Sequence, residues 1–257
     1  MRRSRELPYP ADFTNRLQFR EVIEWQSSVG STQVICLASV PLLRESAPAD
    51  DIGWQAVEVC ERVLALLLLI LSAPVLVLSA AAIALMSRRT PFIAHRRVGW
   101  RGSTLWMLKL RTMWRGGPQS GGPRWGGWIE RIEDDFGPGR KHAADARVKS
   151  AFARFCRRHS IDELPQLWHV VRGEMSLIGP RPLTLRELRE FYGETAEETL
   201  RLKPGIAGLW QISGRNRLTY DERRRMDLEF VRERTFKMYL RIAWRTLPEI
   251  FSGANSW

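Results

Sequence analysis

Cysteine is scarce. The three among 257 residues, Cys36, Cys60 and Cys156, are too few and too scattered for a disulfide framework or a C-x-x-C metal site, so a reducing compartment is the default. No D-x-D carboxylate motif is present, which weighs against an ordinary metal-dependent glycosyltransferase that would release a nucleoside diphosphate. Also missing is any legible helix-turn-helix, zinc finger or aromatic RNA-binding motif, so nucleic acid is not an expected partner despite the basic charge. Asp135-Phe136-Gly137 imitates a kinase metal motif, but none of the glycine-rich loop, lysine strand or catalytic loop that would accompany it is there.

What the chain does have is apolar mass and uneven charge. At 44% apolar residues it can bury one globular core. Forty Lys and Arg against 28 Asp and Glu give +12, yet residues 1–62 hold seven Arg and nine acids, net −2, which leaves +14 on the remainder. A body so charged suits phosphates or anionic lipid headgroups. Eleven Trp is a high count, and tryptophan settles at membrane interfaces.

A membrane segment stands beside these hints. Residues 63–86, VLALLLLILSAPVLVLSAAAIALM, carry no charge over 24 positions and belong in lipid. The run starts too far from Met1 to be read as a signal peptide. Ser72-Ala73-Pro74 interrupts it at the midpoint, where proline removes a backbone donor and kinks a helix. Two layouts are open. A kinked helix can still span; alternatively each half, about 10 residues or roughly 15 Å, reaches mid-bilayer and returns. In either case the positive-inside bias puts the basic body in the cytoplasm.

Around this segment the organisation is simple. Residues 1–54 form an N-terminal extension without a legible role, 55–90 the membrane helix and 91–257 a catalytic-type body. Within that body residues 90–113 read as short strands joined by a turn at 99–102, and 114–145, glycine-rich, as a mobile surface loop. Helical pattern resumes over 148–158, 164–171 and 183–202. Near the C-terminus Phe236, Leu240, Ala243, Trp244, Leu247 and Phe251 recur at helical spacing beside a row of Lys237, Arg241 and Arg245, an amphipathic helix that either packs on the core or lies in the membrane interface.

The densest chemistry lies in Ser160-Ile161-Asp162-Glu163-Leu164-Pro165 and Ile178-Gly179-Pro180-Arg181-Pro182. Ser160 and Glu163 fit a capping box, but Pro165 would then be the fifth helical residue and could not donate; a start at Asp162 avoids this. Two carboxylates at a positive helix end stay ionised, able to bind Mg²⁺ or attack phosphorus. Arg181, braced by prolines, can aim its guanidinium at a phosphate.

The segment SIDELPQLWHVVRGEMSLIGPRP resembles the central signature of the bacterial sugar transferases, small monotopic phosphoglycosyl transferases. Arg97-Val98-Gly99 with Lys109 to Met113, Asp145 to Val148, and Lys203 to Gln211 with Ser213 to Asn216 resemble further family blocks in the family's order, so that the likeness covers about residues 55–253. Departures are Leu110, Ala146, Ala153 and Ala207, none at the Asp162-Glu163 pair.

The resemblance implies an α+β, mostly helical monotopic membrane enzyme with a re-entrant helix broken at Ser72 and Pro74, a small sheet or hairpin and amphipathic interfacial helices. It implies a nucleophile at Asp162, Mg²⁺ assisted by Glu163 and Asp162, and phosphate or substrate contacts from Arg181, Arg215, Lys109, Arg111, Arg147 and Asn216. The implied reaction moves a hexose-1-phosphate, galactose or glucose, from a UDP-sugar to undecaprenyl phosphate and releases UMP. It would open exopolysaccharide or other surface-glycan synthesis at the bacterial inner membrane, on its cytoplasmic face, with membrane lipids as neighbours and downstream glycosyltransferases as partners. The competing expectation is a membrane-tethered basic binding protein, or an inactive relative.

Overall fold

Residues 90–113 alternate as strands do, and they pair as a hairpin. β1 (Phe92–Val98) and β2 (Thr104–Leu110) are antiparallel, Ala94 opposite Leu108 and Val98 opposite Thr104. Between them Arg101 and Gly102 take positive φ of 53° and 80°, and only the glycine does so without steric cost. β3 (Ile129–Ile132) adds parallel to the free edge of β1. The computed structural model describes residues 52–113, 128–133, 148, 150–214 and 218–252. Residues 1–51 of the extension 1–54, most of the glycine-rich loop 114–145, Arg147, Arg215 and Asn216 lie outside the described residues, and 52–54 belong to the first helix.

The apolar run is part of one long helix, α1 (Ile52–Ser87), of 36 residues, which is long and apolar enough to cross a membrane. One stripe of it faces the protein: Glu61, Ala65, Ala80 and Ile83 are buried, with Leu69 and Leu76 partly so. Elsewhere it exposes Leu67, Ile70, Leu71, Val77, Leu78 and Leu85, an apolar surface that water would not tolerate. Pro74 lies inside the helix, and the Ser72 hydroxyl donates to the carbonyl of Leu69 at 3.3 Å. The helix runs on through the proline without a break, contrary to the break expected at Ser72 and Pro74.

Both halves of α1 hold the same strand. Ala65 and Leu69 pack in a cluster with Leu105, Met107, Leu167, Val170 and Met175. Past Pro74, Leu76, Ala80 and Ile83 pack with Leu110, Phe92, Phe152 and Ile161. At the N-terminal end the Glu61 carboxylate, 6% exposed, accepts from Ser176 Oγ at 2.7 Å, Leu177 N at 2.9 Å, Ile178 N at 3.3 Å and Tyr239 Oη at 2.6 Å. Lys203 reaches Glu58 at 2.6 Å one turn earlier.

The helix expected at 148–158 is α2 (Ala151–Arg158), capped by Ser150 Oγ, which accepts from Ala153 N at 2.9 Å. The next helix start differs from expectation. Ser160 adopts a left-handed conformation, φ 56°, and caps nothing with its side chain, and Asp162 is no N-cap either. A 3₁₀ helix (Ile161–Gln166) carries Asp162 and Glu163 in its first turn and Pro165 inside it, then passes into α3 (Leu167–Val171). A tight 3₁₀ segment suits Pro165, whose missing donor stops an α-helix from starting at Ser160.

The helix expected over 183–202 is also fragmented. α4 (Leu185–Glu187), closed by a Thr184–Glu187 capping box, gives way to a π turn over Leu188–Tyr192, a 3₁₀ turn and α5 (Ala196–Thr199). Gly193, at φ 48°, lies at the break, and the wider turn directs Tyr192 into the core.

β4 (Ser176–Ile178) and β5 (Gly205–Ala207) pair parallel, and glycine makes their junction. A Cβ on Gly205 would stand 2.0 Å from the amide nitrogen of Gly179, and one on Gly208 would stand 2.6 Å from the carbonyl of Gly179. α6 (Leu209–Ile212), α7 (Tyr220–Glu233) and α8 (Phe236–Ser252) complete the chain. The inner face of α8 is Met238, Tyr239, Ile242 and Ala243, packed on Ile178 and Phe230. Its outer face exposes Phe236, Leu240, Trp244 and Leu247, together with Lys237, Arg241 and Arg245. The described chain is thus mostly helical with two small sheets, in keeping with the α+β expectation.

Gly205→Ala forces backbone apart at the β4–β5 junction. It is expected to cost about 3 kcal/mol or more, seen as a lowered midpoint in thermal unfolding of the detergent-solubilised protein; an unchanged midpoint would contradict the close contact.

Candidate active site

The Asp162-Glu163 pair is set against two supports, the end of β2 and the second half of α1. Lys109, on the face of β2 away from Leu110, forms an ion pair with Glu163 at 3.2 Å. Asp162 is buried, 3% exposed. Its charge acts on Cys156 of α2, whose thiol burial pushes up to about 11 with the carboxylate adding to the rise. The residue beside Asp162, Ile161, packs with Leu76, Ala80 and Ile83 of α1 and with Phe152 of α2. A carboxylate is therefore held inside the protein where the C-terminal half of the apolar helix meets α2.

Burying a charge is costly unless it is compensated. Glu163 meets its compensation in Lys109, and both are about a quarter exposed. Among the described residues no three His, Cys, Asp or Glu side chains converge as a metal cluster. Mg²⁺ seldom needs one, since it is commonly held by one or two carboxylates while substrate phosphates and water fill the other positions. Adjacent carboxylates at Asp162 and Glu163 match that donor chemistry.

The other expected contacts separate. Arg111 is buried and engaged: Nε donates to the Thr90 carbonyl at 2.8 Å, and Nη2 to Thr90 Oγ1 at 3.0 Å and to Glu130. It fastens the end of β2 to β3. Arg181 stands in a second cluster, after β4. Its guanidinium lies 5.3 Å from the Trp210 ring, and Nη2 is 3.9 Å from Glu187 Oε1, too far for a hydrogen bond. Nearby, the buried Asp227 carboxylate accepts from Tyr192 Oη at 2.6 Å. Burial pushes Asp227 up to about 7 against the pull of the Tyr192 hydroxyl and of the Arg181 and Arg223 charges. Burial and the Asp227 charge push the Tyr192 phenol up as well.

Two residues that sequence reasoning missed hold this frame. His169 of α3 is paired with Glu174 through Nδ1 at 2.6 Å, while Nε2 accepts from the Leu108 amide at 3.1 Å, so β2 and α3 are joined by one imidazole. The acceptor role of Nε2 puts the proton on Nδ1. Glu61 is the other. A carboxylate two positions before a charge-free run was a readable signal, because it must find donors once the run is buried or in lipid.

The bacterial sugar transferase family profile matches residues 54–253. The exopolysaccharide production protein ExoY of Sinorhizobium fredii is 34% identical over 225 residues, 83% of this chain and 93% of that protein. The UDP-glucose:undecaprenyl-phosphate glucose-1-phosphate transferase of Caulobacter vibrioides is 32% identical over 221 residues, 82% of this chain and 76% of its own length. The undecaprenyl-phosphate galactose phosphotransferase of Salmonella typhimurium is 38% identical over 160 residues, 59% of this chain and 31% of that longer protein. The chain belongs to the bacterial sugar transferase family and is an enzyme of the phosphoglycosyl transferase class.

The Lys109–Glu163 pair is solvent-screened, so Lys109→Met should cost under about 1 kcal/mol of stability. Sugar transfer should nevertheless fall at least about tenfold, the loss expected when a cation beside reacting phosphates is removed. Thermal unfolding beside a transfer assay separates the two effects, and a variant with full activity would remove Lys109 from the site.

Proposed function

We propose that this protein transfers a hexose-1-phosphate from a UDP-sugar to undecaprenyl phosphate, with release of UMP, as the first membrane step of exopolysaccharide or another surface glycan. The observation that carries the reading is the buried Asp162 carboxylate next to Ile161, which packs on Leu76, Ala80 and Ile83 where the polar body meets the apolar helix. A nucleophile there can serve a soluble sugar nucleotide and a phosphate anchored in lipid. The names of the relatives, with glucose, galactose and undecaprenyl phosphate in them, support the same substrates.

In the first step a carboxylate oxygen of Asp162 attacks the phosphorus that bears the sugar. The bond from that phosphorus to the bridging oxygen breaks, and UMP leaves with the electron pair. In the second, a phosphate oxygen of undecaprenyl phosphate attacks the aspartyl-bound phosphorus and the carboxylate is released, giving the sugar on a lipid diphosphate. Lys109 and Arg181 offset the charge that builds on the phosphates. Mg²⁺, held by Asp162 and Glu163 with the substrate's own phosphates, supplies further neutralisation when bound. Arg147, Arg215 and Asn216, from the two family blocks outside the described residues, are assigned to the substrate on the resemblance alone.

For the membrane helix we favour re-entry. One polar body is packed against Glu61 and Ala65 before Pro74 and against Ala80 and Ile83 after it. A straight helix separates residues 61 and 83 by about 33 Å, the thickness of a bilayer core. A body with so many buried polar groups cannot follow a spanning helix across lipid, whereas a bend of α1 at Ser72 and Pro74, within the helix, would keep both ends on the cytoplasmic face of the inner membrane. The apolar outer stripe of α8 then lies in the interface, with Lys237, Arg241 and Arg245 towards the headgroups. Downstream glycosyltransferases would take up the lipid-linked product there.

Purified protein with Mg²⁺, undecaprenyl phosphate and a panel of UDP-sugars is expected to release UMP with UDP-glucose or UDP-galactose, and Asp162→Asn is expected to abolish it. Release of UDP instead, or full activity in Asp162→Asn, would refute the mechanism. For topology, Gln55→Cys and Thr104→Cys in a cysteine-free background should both react with an impermeant maleimide only from the cytoplasmic side of oriented vesicles; labelling from opposite sides would establish a spanning helix.

A further inference from the structure

In the sheet order β2, β1, β3, the strand that carries Lys109 is the outer one. Lys109 lies opposite Ile93 in the β1–β2 ladder, and the residue before it, Leu108, donates its amide to His169 Nε2 at 3.1 Å. The backbone is therefore held from both sides just where the lysine leaves it. The imidazole is itself fixed. Its Nδ1 is 2.6 Å from one oxygen of Glu174, the other oxygen pairs with Arg172 at 2.9 Å, and the amides of Glu174 and Met175 donate to the His169 carbonyl at 2.9 and 3.2 Å. His169, 5% exposed, is too buried to touch a substrate itself.

His169 belongs to α3, which continues directly from the 3₁₀ segment that bears Asp162 and Glu163. Two polar rungs thus join the same two pieces of chain, Leu108 to His169 and Lys109 to Glu163. Apolar packing between those pieces, Leu105 and Met107 with Leu164, Leu167 and Val170, keeps them together but is not directional. A hydrogen bond is directional. Of the two rungs, the one at Glu163 is a quarter exposed and depends on a flexible lysine stem, whereas the other ends on a buried ring. The buried rung is the one that can set the register in which the ammonium meets Glu163.

We propose that His169 is a positioning residue, one that acts through the Leu108 amide to set β2 in register with the Asp162-Glu163 segment and so holds Lys109 where the phosphates of the sugar nucleotide bind. This rests on the proposed function, in which Lys109 offsets charge on those phosphates. Glu174 serves the same end at one remove, by holding the ring with Nε2 turned to the strand.

The test is a double-mutant cycle on UMP release at saturating UDP-sugar and undecaprenyl phosphate, run well below the unfolding midpoint of every variant. His169→Leu removes the acceptor and is expected to lower kcat about tenfold, about as far as Lys109→Met. In the Lys109→Met background the same substitution should cost less than about twofold more, since residues that act as one unit are not additive. His169→Gln places an amide oxygen at about the reach of Nε2 and should return kcat to within about threefold of wild type. His169→Asn, too short to meet the Leu108 amide, should stay slow, and it takes the place of His169→Leu should that variant fail to fold. Losses that multiply in the double variant, a His169→Gln as slow as His169→Leu, or a His169→Leu at full rate would each overturn the proposal and leave Lys109 in its role. Full activity in Lys109→Met would remove the lysine from the site and this inference with it. Wild-type protein that releases no UMP with any UDP-sugar would overturn the proposed function, and the inference that rests on it.

Discussion

Glu61 stands two residues before the charge-free run of α1, and four donors from two other elements converge on its carboxylate: the hydroxyl of Ser176, the amides of Leu177 and Ile178, and the phenol of Tyr239. A buried carboxylate left without such partners would cost several kcal/mol, so α1, β4 and α8 have to meet at this point or the acid cannot be there. The phenol responds in kind, pushed up by burial and by the Glu61 charge. Much of the architecture depends on this node. It fixes the depth at which the apolar run begins, the position of the strand that leads to the Arg181 loop, and the face of α8 turned inward. What remains outward on α8 is an apolar stripe with three cations, the surface that the proposed interfacial position would use.

The second constraint is backbone contact. Gly179 and Gly205 approach so closely that neither can carry a side chain, and the bonds from Gly179 N to the Ala207 carbonyl and from Gly205 N to the Pro180 carbonyl, 2.9 and 2.8 Å, lock the strands together. Two sequence blocks that look independent, Ser176 to Pro182 and Lys203 to Gln211, are thus one structural piece. Its function is carried by the loop it projects, which holds Arg181.

Much of this was legible in the sequence because its signals are local. The hairpin followed from alternation and a glycine turn, the apolar helix from 24 charge-free residues, and the Asp162-Glu163 pair from its setting before Pro165. Other features depended on partners far along the chain. Nothing near Glu61 names Tyr239, 178 residues away, and nothing near Tyr192 names Asp227, 35 residues on. The fragmentation of 185–199 was hidden because an apolar period of 3.6 persists through a π turn and a 3₁₀ turn, and only the demand to bury Tyr192 shows why the helix opens. Ser160 misled for a related reason: its capping pattern is satisfied on paper, while a left-handed backbone and Pro165 select a 3₁₀ segment instead.

The arginines show how far charge alone carries an assignment. The chain holds 40 Lys and Arg, and several of the arginines in its most informative blocks are structural. Arg97 is buried and donates to the Arg96 carbonyl, Arg111 is engaged with Thr90 and Glu130, and Arg223 lies buried over Trp210 and Tyr220. A guanidinium has five donors, and Arg111, with its Nε and Nη2 engaged by Thr90 and Glu130, has little left for a phosphate. Lys109 and Arg181 differ because their frames are fixed and their charged ends are not fully enclosed: Lys109 on a strand beside Glu163, Arg181 on a proline-braced loop above a buried acid. Separating cations by what holds the backbone and what the charged end still has to offer brings a basic surface down to a few groups. Those few stand on the two structural pieces, the β2 end and the β4–β5 loop, that the apolar helix touches at its two ends.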